Sequence, residues 1–313
     1  MTARHFLDVS ELSRGELNEV VQLAESNSPT KALSEKSVAL VFEKPSARTR
    51  SSTEVAVFKL GGHPVYIRAE EVGLDSRESV EDVARTLGCY YDVICARVVE
   101  HETLVRIAAA LDSMDAQVPV VNLLSDLSHP CQALADLLTM RDLLAPLNRS
   151  ESSLTGRTVS YVGDANNVCR SLVQVALAAG MDVRVASPEG YGLSEEVISS
   201  VSTEDLPGSL EVFSDPLLAV RGADVVYTGV WTSMGQEDEA EERTAVFKAF
   251  SVDEKLMQAA GEDAYFMHCL PAHRGDEVSA GVIDGPQSAV WRQAAKRETA
   301  MVALLSWLKR ERR

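Results

Sequence analysis

The sequence predicts an α/β fold with two domains, each built around a parallel sheet, and three observations support this prediction. The chain has 313 residues, and roughly 150 residues per domain is a useful prior that suggests two domains. Short β-branched apolar runs alternate with longer amphipathic segments, which is typical of βα units with a parallel sheet. A polar break, NRSESSLTGR at 148–157, interrupts this alternation, which then restarts.

The predicted strands of the first half are near-continuous apolar runs rich in Val, Ile and Leu. Such runs are typical of strands that are buried on both faces of a parallel sheet. These strands cover 37–43, 64–67, 92–98 and 118–123. Helix-like stretches lie near 48–60, 78–90 and 101–112, and a further helix-like segment covers 129–144 before the polar break.

The second half repeats the alternation of strands and helices. Predicted strands cover 157–163, 181–187, 210–213, 223–228 and 264–270, and predicted helices lie near 169–179, 192–201, 215–221 and 251–260. The terminal segment, 288–313, is a long amphipathic helix with cationic residues in its final turn. Cations at that position interact favourably with the negative end of the helix dipole. Two α/β domains of similar size follow from these patterns.

Acidic residues strongly outnumber basic ones. The chain has 47 Asp and Glu against 30 Lys and Arg, which gives a formal net charge of −17. A surface of this sign repels nucleic acid and anionic membranes, which argues against a general role in polyanion binding. Two explanations stay open: an acidic surface that keeps the protein soluble, or adaptation to high salt. An anionic ligand would have to bind at a local exception to the overall charge.

The cysteines and the apolar segments bound the class of protein. The five cysteines are odd in number, dispersed, and without CxxC or Cys/His spacing, which argues against a disulfide framework and a structural zinc site. The chain contains no run of about 18 apolar residues. Its first residues, MTARHFLDVSEL, lack the apolar core of a signal peptide. We therefore expect a cytoplasmic protein that does not span a membrane.

A cationic turn, FEKPSARTRSS at 42–52, directly follows the first predicted strand. Ligands of open parallel sheets bind beyond the carboxyl ends of the strands, where the next helix begins. Ser46 can cap this helix, whose free N–H groups attract an anion, and Arg48, Thr49 and Arg50 add charged and hydroxyl donors. By spacing alone, a phosphate site and a capped helix with solvated arginines are equally good interpretations.

Polar turns also follow later strands in both predicted domains. Arg97 ends one strand in ARVVEH, and His129 and Gln132 open a helix in SDLSHPCQALAD. The second half adds YVGDANNV, VYTGVWTSMGQE and FMHCLPAHRGDEV. The first of these lacks the GxGxxG fingerprint, which disfavours dinucleotide binding. We expect these turns to converge on one cleft between the two domains.

The turns SARTR, HPCQ, SMG and HCLP, in this order and spacing, resemble the aspartate/ornithine carbamoyltransferase family, and the resemblance covers essentially the whole chain. The HCLP and SMG segments resemble the ornithine branch of the family. The resemblance implies two αβα domains with parallel sheets, joined by interdomain helices, with the active site in the cleft between them. It implies a carbamoyl-phosphate-binding domain over 1–145, on which the terminal helix 288–313 packs, and an ornithine-binding domain over 146–287.

The same resemblance implies roles for individual residues. Contacts with carbamoyl phosphate are implied for Ser46, Ala47, Arg48, Thr49, Arg97, His129, Gln132, Cys269, Leu270 and Arg297. Contacts with ornithine are implied for Asn167, Gly229, Ser233 and Met234. Catalytic roles are implied for Arg48, Arg97, His129 and Cys269.

The activity that the resemblance implies is transfer of the carbamoyl group of carbamoyl phosphate to the δ-amine of L-ornithine, giving L-citrulline and phosphate, as in arginine biosynthesis. It implies no metal or organic cofactor, and a homo-oligomer that is a trimer or a multiple of trimers. We expect no nucleic acid among its partners.

One position departs from the family pattern. Ornithine carbamoyltransferases carry TDxW, whereas this chain has Thr228, Gly229, Val230 and Trp231. In the family that aspartate helps to bind the amino-acid end of ornithine. Three alternatives therefore stay open: another acidic side chain compensates, the chain is a carbamoyltransferase for a different amine, or it is a carbamoyl-phosphate-binding homologue of reduced activity. Ala47, in place of the commoner threonine, is a milder change because backbone donation survives.

Overall fold

The chain forms two compact units, each an α/β unit with a parallel sheet, as predicted. Unit 1 comprises Met1–Ala135 with Arg297–Arg313, and unit 2 comprises Asp136–Lys296. The predicted functional division into 1–145 with 288–313 and 146–287 differs from these limits and stays a prediction. The computed structural model describes residues 3–26, 31–114, 116–147, 150–203, 206–232 and 237–310.

Unit 1 contains a four-stranded parallel sheet of order β2-β1-β3-β4. Its strands are β1 (Ser37–Phe42), β2 (His63–Arg68), β3 (Val93–Arg97) and β4 (Val120–Leu124). Its helices are α1 (Arg14–Glu25), α2 (Ala47–Lys59), α3 (Ala69–Val72), α4 (Val80–Gly88) and α5 (His101–Ser113). Helix α6 (Pro130–Leu144) contains the limit between the units. Residues 38–42 of β1 are all buried, which explains why this strand is a continuous apolar run.

Unit 2 contains a five-stranded parallel sheet of order β7-β6-β5-β8-β9. Its strands are β5 (Thr158–Val162), β6 (Asp182–Ala186), β7 (Ser209–Phe213), β8 (Val225–Thr228) and β9 (Tyr265–His268). Its helices are α7 (Asn167–Ala178), α8 (Glu195–Thr203), α9 (Pro216–Val220), α10 (Ala240–Phe247), α11 (Glu254–Ala260) and α12 (Ala280–Ile283). Helix α13 (Val290–Leu308) contains the second limit between the units. Short 3₁₀ helices lie at Val9–Glu11, Glu151–Leu154, Glu237–Glu239 and Lys248–Phe250.

Each sheet has a switch point where neighbouring strands are not consecutive in the chain. In unit 1, β1 lies beside β3, with Phe42 opposite Arg97. In unit 2, β5 lies beside β8, with Val162 opposite Thr228. Ligands of open α/β sheets bind at such points, because the following turns diverge to opposite faces and leave a crevice. The predicted functional turns after β1 and β3 in unit 1, and after β5 and β8 in unit 2, therefore follow the two strands that form the switch point of each unit.

The structure confirms every strand predicted from the sequence, and it adds helices that the sequence analysis did not predict. The added helices are α1, α3, α10 and α12. In α1, Ser13 and Glu16 form a capping box, a helix-start signal that was available in the sequence. Within the described part of the chain, no helix has both the length and the apolar character needed to cross a membrane.

Candidate functional site

The turn after β1 begins helix α2 with the predicted serine cap. The Ser46 hydroxyl accepts a hydrogen bond from the Thr49 N–H (3.4 Å) and donates one to Thr49 Oγ1 (3.1 Å). The remaining N–H groups of the first turn, together with the helix dipole, favour an anion at this end of α2. Ala47 and Arg48 are exposed here, whereas Thr49 is buried.

The second arginine of this turn is engaged elsewhere. Arg50 Nε donates to Glu54 Oε1 (2.8 Å), and the Arg50 guanidinium lies 3.9 Å from the centre of the Tyr66 ring. This i,i+4 pair and the cation–π contact stabilise the exposed face of α2. Arg50 was predicted to add donors to the anion site. In the structure its guanidinium donates to Glu54 instead.

A buried arginine from the terminal helix joins the turns after β1 and β4. Arg297 on α13 donates through Nη1 to Gln132 Oε1 and through Nη2 to Thr49 Oγ1 (3.3 Å). Its Nη1 also lies 3.5 Å from His129 Nε2. Arg297, His129 and Gln132 are all buried. The structure thus brings together, within unit 1, four of the residues that the sequence analysis assigned to carbamoyl phosphate.

Arg97 completes a cluster of positive charge at the switch point of unit 1. It ends β3, is 7% exposed, and lies opposite Phe42 at the end of β1. Burial, followed by the charges of Arg297 and Arg48, lowers the pKa of Arg97 to about 10. Arg97 stays charged near neutral pH, so the protein holds like charges close together in a poorly hydrated place. Such an arrangement favours binding of an anion that neutralises it.

His129 is neutral in this environment. Burial is the main cause of a pKa well below the usual 6.5, and the positive charges of Arg297 and Arg97 lower it further. A neutral imidazole has one nitrogen that donates and one that accepts. His129 can therefore give a ligand a hydrogen bond, but the positive charge of this cluster comes from the arginines.

The depressed pKa of His129 predicts a pH dependence of stability. Below about pH 6.5 the unfolded chain binds a proton at this position that the folded chain does not, so His129 lowers the free energy of unfolding as the pH falls. Its contribution is at most about 1.4 kcal/mol per pH unit. His129→Gln should therefore lose less stability than wild type between about pH 6.5 and pH 5.5 in urea titrations.

The control for this prediction is His63→Gln, since His63 is exposed on β2. The comparison uses the difference in unfolding free energy between the two pH values for each variant, because His129→Gln also loses packing. An equal acid-induced loss in wild type and His129→Gln would contradict a neutral His129.

In unit 2, the turn after β5 begins helix α7. Asn166 caps the helix through Oδ1, which accepts from the Val168 N–H (3.0 Å), and the predicted ornithine residue Asn167 is the first helical residue. Asp164 in the same turn was not predicted. Burial raises its pKa to about 6, although Arg243 opposes this shift, and Arg243 Nη2 lies 2.7 Å from Asp164 Oδ2.

Gly229 follows β8 and is buried. A Cβ atom at this position would lie 2.9 Å from the Tyr161 hydroxyl oxygen, which is closer than ordinary van der Waals contact. Tyr161 is fully buried, and its hydroxyl has no hydrogen-bond partner among the described residues. Trp231, two residues later, is also buried and stacks on Phe247 with 5.9 Å between ring centres. The predicted residues Ser233 and Met234 lie outside the described residues.

The turn after β9 carries Cys269 and Leu270, both half-buried. Leu270 has a φ of +58°, which is uncommon for a residue with a branched side chain. The Leu270 N–H donates to Nδ1 of His268 (2.8 Å), and His268 Nε2 lies 3.2 Å from Glu277 Oε1. These hydrogen bonds from His268 and Glu277 therefore stabilise the turn. Neither residue was predicted from the sequence to have a role in the site.

Glu277 also belongs to a possible metal-ligand group. Ligand atoms of His273, Asp276 and Glu277 lie within 4.8 Å of one another, and His273 and Asp276 are exposed. Glu277 Oε1, however, already lies near His268 Nε2 and accepts from the His273 N–H (2.6 Å). Support of the turn explains the position of this carboxylate without an ion.

Comparisons with known proteins agree over nearly the full length. Two family models match: the carbamoyl-P binding domain of aspartate/ornithine carbamoyltransferases over residues 4–142, and the Asp/Orn binding domain of the same enzymes over 155–308. Ornithine carbamoyltransferase from Parafrankia sp. (strain EAN1pec) is 45% identical over 318 residues, covering 98% of this chain and 96% of the relative. Anabolic ornithine carbamoyltransferase from Pyrococcus furiosus is 47% identical over 280 residues, covering 89% and 85%. A solved Pyrococcus furiosus ornithine carbamoyltransferase superposes with a TM-score of 0.88 at 43% identity, covering 97% and 96%.

Proposed function

Since the chain belongs to the aspartate/ornithine carbamoyltransferase family, we propose that it transfers the carbamoyl group of carbamoyl phosphate to the δ-amine of L-ornithine, giving L-citrulline and phosphate. The observation that supports this proposal most strongly is the cluster of Arg97, Arg297 and Arg48 at the switch point of unit 1, of which the first two are buried. The chain as a whole has a net charge of −17, yet several guanidinium groups lie close together at this point. A local positive charge of this kind is what a dianionic substrate requires. Relatives named ornithine carbamoyltransferase favour ornithine over another amine as the acceptor.

In this proposal, unit 1 binds carbamoyl phosphate. The N–H groups at the start of α2 and the hydroxyls of Ser46 and Thr49 receive the phosphate, and the Arg48 guanidinium neutralises it. Arg97, His129 and Gln132 lie around the carbamoyl group. Arg297 fixes Gln132 and Thr49 in place and adds positive charge. Because the ligand is an anion, its binding relieves the repulsion among the arginines.

The proposed chemistry is direct attack by an amine on the carbamoyl carbon. The nitrogen lone pair forms the new C–N bond, a tetrahedral oxyanion develops, and the C–O bond to phosphate then breaks with its electron pair leaving on phosphate. The proton lost from nitrogen is accepted by the departing phosphate. The guanidinium of Arg97 and the neutral imidazole of His129 stabilise the oxyanion as preorganised donors. The residues named here hold and orient both reactants without forming a covalent intermediate.

In the same proposal, unit 2 binds ornithine. Asn167, Ser233 and the backbone of Met234 hold its α-amino and α-carboxylate groups, and Cys269 lies near the δ-nitrogen. An alkylammonium has a pKa of roughly 10.4, so the site must favour the free amine. The backbone of Cys269 and Leu270 receives the carbamoyl NH₂ group.

The experiment that tests this function compares acceptors. The purified chain is mixed with carbamoyl phosphate and ornithine, putrescine or aspartate, and released phosphate and the carbamoylated product are measured at low and at high salt. The proposal expects fast product formation with ornithine alone. Turnover with another amine but not with ornithine would contradict it, and so would tight carbamoyl phosphate binding without turnover of any acceptor.

Gly229 provides a prediction for ornithine affinity. Gly229→Asp supplies the carboxylate that the family carries, so we expect the KM for ornithine to fall about 10- to 100-fold, as a charged hydrogen bond to the amino-acid end would give. The Tyr161 hydroxyl must move slightly to admit the new Cβ, and it can then donate to the carboxylate. Steady-state kinetics with ornithine as the varied substrate measures the effect.

Gly229→Ala is the matched control, because it adds the same Cβ without a carboxylate. We expect no gain in ornithine affinity from this variant. A second variant carries Gly229→Asp together with Tyr161→Phe, which removes the hydroxyl that the new Cβ would contact. Comparing the two aspartate variants separates the effect of the steric contact on KM from the effect of the new negative charge. An unchanged KM for ornithine in both aspartate variants would show that position 229 does not contribute to ornithine binding in this chain.

The remaining parts of the proposal concern assembly and environment. We propose a homo-oligomer, a trimer or a multiple of trimers, in the cytoplasm, acting in arginine biosynthesis. Exposed apolar side chains on α2 support an interface, since Phe58 is 75% and Val55 is 45% exposed. High-salt adaptation is the second explanation of the acidic surface, and activity that rises with salt would support it.

A further inference from the structure

The turn after β9 is held by a buried histidine and a buried glutamate that take no part in the proposed chemistry. We propose that Glu277 is a positioning residue that fixes the tautomer of His268 and thereby holds the Cys269–Leu270 turn in its working conformation. The inference rests on the proposed function, in which the backbone of this turn receives the carbamoyl NH₂ group. Neither Glu277 nor His268 touches the reacting atoms in this account.

Two hydrogen bonds assign the proton of His268. The Leu270 N–H can only donate, so His268 Nδ1, 2.8 Å away, must accept. The proton of a neutral imidazole then lies on Nε2, which is 3.2 Å from Glu277 Oε1. Since both side chains are at most 1% exposed, water does not compete for these bonds. Glu277 therefore favours the one tautomer that can bind the Leu270 N–H.

The same carboxylate also fixes the far end of the turn. Glu277 Oε1 accepts from the His273 N–H (2.6 Å), so one oxygen holds both His268 and His273. The near end has a second support, because the His268 N–H donates to Gln293 Oε1 (2.9 Å). Gln293 Nε2 in turn donates to Asp136 Oδ1 (2.7 Å). The turn is thus held at its start, its middle and its end.

Leu270 shows why such support is needed. A leucine with a φ of +58° occupies a left-handed conformation that is strained for a residue with a Cβ, and it persists only where the surroundings hold it. The hydrogen bond from the Leu270 N–H to His268 supplies part of that hold. If His268 carried its proton on Nδ1, two donors would face each other and the turn would relax. The backbone groups of Cys269 and Leu270 would then point in another direction.

This arrangement predicts an effect on turnover and not on phosphate binding. The phosphate site is built from residues 46–49 and their partners in unit 1, to which Glu277 and His268 do not belong. At metal sites, loss of a carboxylate that orients a histidine typically costs about 10- to 100-fold in metal affinity or activity, and misplacement of a reacting group by a distant change costs a similar factor. We therefore expect Glu277→Leu to lower kcat about 10- to 100-fold with the affinity for inorganic phosphate unchanged.

The conservative variants separate positioning from bulk structure. Glu277→Gln keeps an oxygen acceptor for His268, so we expect it to recover most of the activity that Glu277→Leu loses. His268→Asn keeps an acceptor where Nδ1 lies, whereas His268→Gln keeps a group only where Nε2 lies. We therefore expect His268→Asn to be more active than His268→Gln. In the His268→Asn background, Glu277→Leu should cost less than it costs alone, because the bond between positions 268 and 277 is already lost and only the bond from the His273 N–H remains to be removed.

A spectroscopic readout is independent of activity. In protein labelled with ¹⁵N-histidine, the ring nitrogen shifts report which nitrogen of His268 carries the proton. We expect the Nε2–H tautomer in wild type and Glu277→Gln, and loss of that single tautomer in Glu277→Leu. The control is Asp284→Ala, which removes both acceptor oxygens of the exposed pair between Asp284 and Arg274 in the same segment. It should leave both the tautomer and kcat unchanged.

Each outcome decides the proposal. Retention of the Nε2–H tautomer in Glu277→Leu overturns it, and so does a His268→Gln variant as active as His268→Asn. If Glu277→Leu does not fold, the comparison of the two His268 variants and the tautomer in Glu277→Gln still decide. Failure of the proposed function is distinguishable, since it would appear as a wild type that makes no product from ornithine while the tautomer results stay as predicted.

Discussion

Arg97→Ala is expected to lower kcat by about 10²- to 10³-fold, which is the usual cost of removing one preorganised donor to a developing oxyanion. The fold should remain intact. Arg97 is buried beside two further arginines that help to lower its pKa to about 10, so its removal relieves repulsion between like charges. Steady-state turnover with ornithine and urea unfolding of the same preparation measure the two effects.

Arg50→Ala is the matched control for this prediction. Arg50 belongs to the same cationic turn as Arg48, but its guanidinium bonds to Glu54 and lies over Tyr66. We expect kcat to stay within about twofold of wild type, because loss of an exposed ion pair costs only a few tenths of a kcal/mol. Near-normal turnover in Arg97→Ala would show that the oxyanion is stabilised by other groups.

Arg297→Met should weaken binding of inorganic phosphate about 10- to 100-fold, as expected for the loss of charge-assisted hydrogen bonds in a buried site. Methionine roughly retains the length of the side chain but removes the charge and the donors to Gln132 and Thr49. The same change removes one of the charges that lower the pKa of His129, so that pKa should rise. Calorimetry measures phosphate binding, and an NMR titration of the His129 ring measures the pKa.

Two further variants of α13 separate charge from geometry. Arg297→Lys keeps the charge without the two-pronged guanidinium, so it should weaken phosphate binding while leaving the pKa of His129 low. Arg292→Met removes an exposed arginine of the same helix and should change neither quantity. Wild-type phosphate affinity in Arg297→Met would remove Arg297 from the anion site.

The strands and the turns that follow them could be predicted from the sequence because a parallel sheet leaves a strong pattern. A strand buried on both faces, such as β1, whose residues 38–42 are all buried, is a continuous apolar run, and the polar residues that follow it stand out. Helix α10 left a weaker signal, since only Arg243 and Phe247 of its residues are buried. Helix α1 was missed despite a capping box and buried residues at helical spacing, Leu17, Val20, Val21 and Ala24.

The contacts inside each site could not be derived from spacing. Arg297 and Gln132 are 165 positions apart, and only the resemblance to a family brought them together in the sequence analysis. His268 and Glu277 are 9 positions apart, yet neither a helix nor a strand repeat links them, because the segment between them is an irregular turn. The pKa values of Arg97 and Asp164 likewise depend on burial and on neighbours from distant parts of the chain.

In the proposed reaction, this chain joins the carbamoyl carbon of carbamoyl phosphate to the δ-nitrogen of ornithine. The most direct measurement mixes the purified chain with ¹³C-labelled carbamoyl phosphate and δ-¹⁵N-ornithine and records the ¹³C NMR spectrum of the product. We expect a ureido carbon split by one-bond coupling to ¹⁵N, appearing at the rate at which phosphate is released. Phosphate release with an uncoupled carbon, or no reaction while ornithine and carbamoyl phosphate both bind, would contradict it.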